Sequence, residues 1–126
     1  MKKIKSGLVV AFTMIMLFPA LALADHWNIS QWLGKQPDNI GTLTRLTGEG
    51  PYESGNFSGV LYGPKGALTV TATAIFNGTT EVTIYETVSG YMNLSCRISA
   101  GVNGTVITGN AICGASGTPW QAHIIV

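Results

Sequence analysis

The sequence predicts a mostly β domain: a small antiparallel meander sheet, or a half-closed barrel or sandwich, of about five or six strands with a short N-terminal helical or irregular segment. Three observations carry that expectation. From Phe57 onward, apolar and polar residues alternate in run after run. Short Gly-, Pro- and Asn-rich stretches separate the runs, and connections of that length favour antiparallel neighbours. No helical pattern of parallel-crossover length intervenes.

Residues 1–24 read as a cleaved export signal. Lys2, Lys3 and Lys5 precede the apolar run "GLVVAFTMIMLF", Pro19 breaks it, and Ala22 and Ala24 occupy the positions a signal peptidase reads. The apolar run is too short for a transmembrane anchor. Cleavage between Ala24 and Asp25 would leave one domain, residues 25–126, destined for the periplasm or the outside of the cell, with no stable membrane anchor. Export also removes three lysines, so the mature chain has four basic against six acidic side chains, a net charge of −2 with both histidines neutral. That balance argues against nucleic acid and anionic membrane surfaces as partners, because both require clustered Lys and Arg.

Within the domain, residues 25–56 form the irregular or helical segment. Trp27, Ile29, Trp32 and Leu33 show partial helical spacing, with Gly34 and Pro37 as stops. Ile40, Leu43 and Leu46 fit either a short helix or a strand, and Gly48, Gly50, Pro51 and Gly55 mark a loop. Residues 57–126 supply the strands "FSGVLY", "ALTVTATA", "TTEVTIYET", "YMNLSCRIS", "GTVITGNAI" and "WQAHIIV". Apolar faces fix the expected registers. A loop of Phe76, Asn77 and Gly78 pairs Ala72 with Val82 and Val70 with Ile84, with Gly78 in the left-handed conformation of a bulge. A loop of Val88, Ser89 and Gly90 pairs Ile84 with Leu94. The outer face is then rich in Thr, with Thr71, Thr73, Thr83, Thr87, Asn93 and Ser95.

Cys96 and Cys113 are the only cysteines, and in an exported chain they read as one structural disulfide. A simple hairpin around "AGVNG" conflicts with it: pairing Ile98 with Ile107 would leave Cys113 about 13 Å from Cys96, beyond disulfide reach. The disulfide is retained and the hairpin questioned.

Catalytic, metal and cofactor residues are not indicated. His123 falls on the polar side of the last strand and His26 beside the expected mature terminus, and no spacing joins either to a Ser and a carboxylate. Glu81 and Glu86 differ in parity and so cannot act as a pair on one strand. Glu49 and Glu53 flank a loop, and two carboxylates there do not make a metal site. "GEGPYESG" and "YGPKG" lack the features of a phosphate loop. Asn-x-Ser/Thr triplets at Asn28, Asn56, Asn77, Asn93 and Asn103 follow from Thr-rich strands and Asn-Gly turns.

Trp27, Trp32, Tyr52, Phe57 and Tyr62 gather in the N-terminal part of the chain. They either cap an open end or second face of the sheet or form an aromatic partner-binding surface. The scarcity of acids, bases and free thiols favours a binding module over an enzyme, with a protein or glycan outside the cytoplasm as partner. The general build resembles that of small periplasmic inhibitors of host hydrolases such as lysozyme, which implies a protein-binding role, although no motif of such a family occurs. Two rivals follow from the same residues. The Thr/Gly/Asn-rich strands suit a self-assembling surface or matrix protein, and His123 or His26 would serve a small hydrolase. An outer-membrane barrel would need more and longer strands with aromatic girdles.

Overall fold

The computed structural model describes residues 25–32 and 39–126. The expected export signal lies outside these residues, as do Leu33, Gly34 and Pro37. The described chain forms eight strands: β1 (His26–Gln31), β2 (Asn39–Arg45), β3 (Gly55–Gly63), β4 (Gly66–Asn77), β5 (Glu81–Gly90), β6 (Leu94–Asn103), β7 (Val106–Cys113) and β8 (Ser116–Ile125). Each pairs antiparallel with the next, and β1 also pairs with β8, so the meander closes into a barrel.

The β class and antiparallel order agree with the sequence, while the strand count and the N-terminal segment do not. Eight strands close the sheet, not five or six, and the segment expected to be helical or irregular supplies β1 and β2. The reason lies in which residues point inward. Trp27, Ile29 and Gln31 share one buried face of β1, and Asn39, Leu43 and Arg45 one buried face of β2. Polar side chains thus occupy inward positions, while Ile40 and Leu46 are exposed. The apolar period of two is erased where the barrel is most polar inside.

The predicted faces hold in β4, β5 and β6, but the registers move. Ala72 pairs with Glu86, Val70 with Val88, and Ile84 with Ile98. The β4–β5 loop is Gly78, Thr79 and Thr80, and the β5–β6 connection is Tyr91, Met92 and Asn93. Each strand runs further than its apolar pattern, and the side-chain period of two lets the turn move without turning a face outward. The same change resolves the conflict at β6–β7. With the turn at Gly104 and Thr105, Cys96 pairs directly with Cys113, Cα atoms 4.2 Å apart, and the disulfide forms within a plain hairpin.

The barrel interior is filled by Trp27, Ile29, Leu43, Phe57, Leu61, Leu68, Val70, Ile84, Ile98, Ile107, Trp120 and their neighbours. Eight strands enclose a bore that side chains of this size can fill. Gly41 and Gly59 permit the close approach of β2 and β3. A Cβ on Gly41 would lie 1.9 Å from the Val60 carbonyl oxygen, and one on Gly59 1.9 Å from that of Thr42. Only glycine allows the two backbones to meet so closely.

Candidate functional site

One end of the barrel is plugged. Asp25 and Arg45, both buried, form an ion pair there. Asp25 also accepts a hydrogen bond from Trp27 Nε1 at 3.1 Å, and Arg45 donates to the Thr47 carbonyl at 2.9 Å. The Arg45 guanidinium stacks over Phe57, 4.7 Å from the ring centroid. Trp27 packs on Phe57 at 4.2 Å and edge-on to Phe76 at 6.1 Å. Tyr52, from the loop between β2 and β3, meets Phe76 at 6.2 Å and donates its hydroxyl to the Gly104 carbonyl at 2.8 Å. That loop is thereby tied across the barrel end to the β6–β7 turn.

The five aromatics singled out from the sequence therefore do not form one surface. Trp27 and Phe57 lie in the core and Tyr52 is half-buried in the plug. Trp32 is half-buried after the last residue of β1, near the opposite end of the barrel from Trp27. Tyr62 is 66% exposed on the outside of β3, next to Ile40. His123 is exposed, with Nε2 3.1 Å from Thr105 Oγ1, and His26 is half-buried opposite Thr44. Among the described residues, no group of three His, Cys, Asp or Glu side chains is placed to hold a metal ion.

Two other features stand out. On the outer face, the register aligns Asn56, Thr73, Tyr85, Arg97 and Ile112 in one row across β3 to β7. Thr71, Thr87 and Ser95 form the adjacent row. Together with Leu46 they line a groove of about 640 Å³. Tyr85 is 50% exposed there, and Leu46, Arg97 and Ile112 are exposed as well. Thr73 donates to the Asn56 side-chain oxygen at 3.0 Å, which fixes one end of the row. Sequence parity predicted the Thr positions; the line from Tyr85 through Arg97 to Ile112 needed the observed register.

Inside the barrel, at the end opposite the plug, Gln31, Asn39, Glu86 and Trp120 are at most 2% exposed. Gln31 pairs with Asn39 on one side and with Trp120 on the other, while Glu86 reaches toward them from β5. Burial pushes the Glu86 carboxyl from 4.5 up to about 7. The Gln31 and Trp120 side chains favour its charged form, but neither completes a hydrogen bond of ordinary geometry, and burial prevails. Both Glu86 oxygens, both polar atoms of Gln31 and of Asn39, and Trp120 Nε1 are unpartnered. Sequence reasoning passed over this quartet. The available signal was parity: Glu86 lies between Ile84 and Val88 on the face predicted to be buried.

No protein-family model matches the chain, and no characterised protein or solved structure is significantly similar to it.

Proposed function

We propose that this chain is an exported, non-enzymatic binding module that engages an extracytoplasmic protein through the outer groove of β3 to β7. The observation that carries the reading is the exposed row of Tyr85, Arg97 and Ile112, with Leu46 at its rim, set in a Thr-rich groove. Tyr and Arg are the side chains most often responsible for binding energy at protein interfaces, and the short polar side chains around them supply hydrogen bonds. A hydrolase such as lysozyme is the first partner to test, as the general build suggests. The Cys96–Cys113 disulfide is consistent with an oxidising, extracytoplasmic location.

Closure of β1 onto β8 leaves no sheet edge among the described strands, which supports a binding module over edge-to-edge assembly. An apolar interior with a Thr-rich outer face is also the reverse of the polarity of a membrane barrel.

The test uses the mature protein as bait against periplasmic extract, host secretions and purified lysozyme, with Tyr85→Ala and Arg97→Ala compared with Tyr62→Ala. Loss of capture by about tenfold or more in the groove variants, with Tyr62→Ala unaffected, supports the reading. Equal capture by all variants overturns it, as does retention by a glycan array with no protein partner.

A further inference from the structure

The buried quartet has no role in the proposed groove. Polar side chains with no partner inside a barrel are costly, because each has given up water without gaining a hydrogen bond. Four of them converge here from β1, β2, β5 and β8, while apolar residues fill the middle of the bore. Gln31 is the last residue of β1 and Asn39 the first of β2, so the cluster lies toward the barrel end opposite the aromatic plug.

The available hydrogen-bonding groups define what would fit. Four acceptors are present: the two Glu86 carboxylate oxygens and the Gln31 and Asn39 amide oxygens. The Gln31 and Asn39 amide nitrogens and Trp120 Nε1 are donors. Of these side chains only Glu86 can carry charge. Asp25 and Arg45 are paired at the other end, and Cys96 beside Glu86 is in the disulfide. A bound cation with N–H groups would neutralise the carboxylate and meet the amide oxygens, with the Trp120 ring available to its charge. A bore of eight strands limits such a ligand to a few heavy atoms.

We propose that Glu86, Gln31, Asn39 and Trp120 form a binding site for one compact organic cation bearing N–H donors, of the primary-ammonium or guanidinium class. The site lies inside the barrel, separate from the outer groove. Its occupancy does not depend on a protein partner.

The experiment titrates the folded mature protein with methylammonium chloride and, separately, with millimolar guanidinium chloride, using tetramethylammonium chloride as the control that has charge but no N–H. Resonances of the Trp120 indole N–H and of the Gln31 and Asn39 side-chain amides are followed by NMR. The Trp27 indole N–H, bonded to Asp25 at the far end, serves as internal reference. The expected result is that the three reporters shift together and saturate with one of the N–H cations, while Trp27 does not move. Glu86→Gln should weaken that binding by about tenfold or more, as loss of a charge-assisted hydrogen bond does. Gln31→Leu, which keeps the carboxylate, should weaken it less. The proposal is overturned if neither N–H cation gives a saturable shift, if tetramethylammonium gives the same shift, or if Glu86→Gln binds as tightly as the native protein.

Discussion

Replacing Glu86 by Gln should make the protein more stable at neutral pH. Burial keeps this carboxyl protonated up to about pH 7, because its oxygens lack a hydrogen-bond partner of ordinary geometry and, among the described residues, no cationic side chain offsets the loss of water. The unfolded chain ionises it near the ordinary 4.5, whereas the folded chain keeps the proton until about 7. Between those values the folded state binds more protons than the unfolded one, so stability falls as pH rises. The contribution is fully present below pH 4.5, is lost progressively up to about pH 7, and stays constant above that. A rise of this size corresponds to on the order of 3 kcal/mol. Gln mimics the neutral acid at nearly the same volume and does not titrate. Urea unfolding of both proteins across this range, in buffers free of amines, provides the assay. The two should be similar in acid, with Glu86→Gln about 3 kcal/mol more stable at neutral pH and above. Other titrating groups are common to both proteins and cancel in the difference. The reasoning fails if that difference does not change with pH, or if the native protein gains relative stability as pH rises.

Three further outcomes follow from the plug, the disulfide and the glycines. Asp25→Ala leaves Arg45 buried without its carboxylate, and should cost about 3–5 kcal/mol in urea unfolding; adding Arg45→Met should recover part of the loss. Cys96 and Cys113 should resist thiol labelling in the native protein, and reduction, which frees a loop spanning 17 positions, should cost about 3 kcal/mol of stability. Gly59→Ala should prevent a folded circular-dichroism signature, because its Cβ would strike the Thr42 carbonyl. Gly78→Ala, in a turn at φ +66° with nothing near its Cβ, should cost only about 1 kcal/mol of backbone strain in a thermal melt.

The sequence carried the faces of the strands further than it carried their partners. Thr71, Thr73 and Thr87 lie outside, and Val70, Ala72, Val82, Ile84 and Ile98 inside, as alternation requires. Alternation alone cannot position a turn, since moving both strands by an even number of residues preserves every face. The disulfide supplied the missing constraint. Cys96 and Cys113 exclude the Ile98–Ile107 pairing and select the one that places the turn at Gly104 and Thr105, where Gly104 takes φ +62°. Applied first, that constraint would have lengthened the β6–β7 hairpin, and strands of that length throughout make a closed barrel easier to reach than a small sheet.

The same reasoning explains why the polar interior was hidden. Sequence patterns identify inward positions by apolar residues, so a barrel that places Gln31, Asn39, Arg45 and Glu86 inward removes its own signal at those strands. In β1 and β2 the effect was large enough to make two strands resemble a helical or irregular segment. In β5 the surrounding Val82, Ile84 and Val88 kept the pattern readable, and Glu86 stood out only as an exception to it. Arg45 differs from the quartet in having Asp25, Thr47 and Phe57 around it, which leave only Nη2 unpartnered, so the plug it helps to form accounts for most of its burial. Gln31, Asn39, Glu86 and Trp120 have no such explanation within the described fold. A chain that must bury enough apolar surface to hold about 100 residues together has little reason to place four unpartnered polar side chains in one layer unless something else meets them. That contrast makes the end of the barrel opposite the aromatic plug the place to look for a ligand.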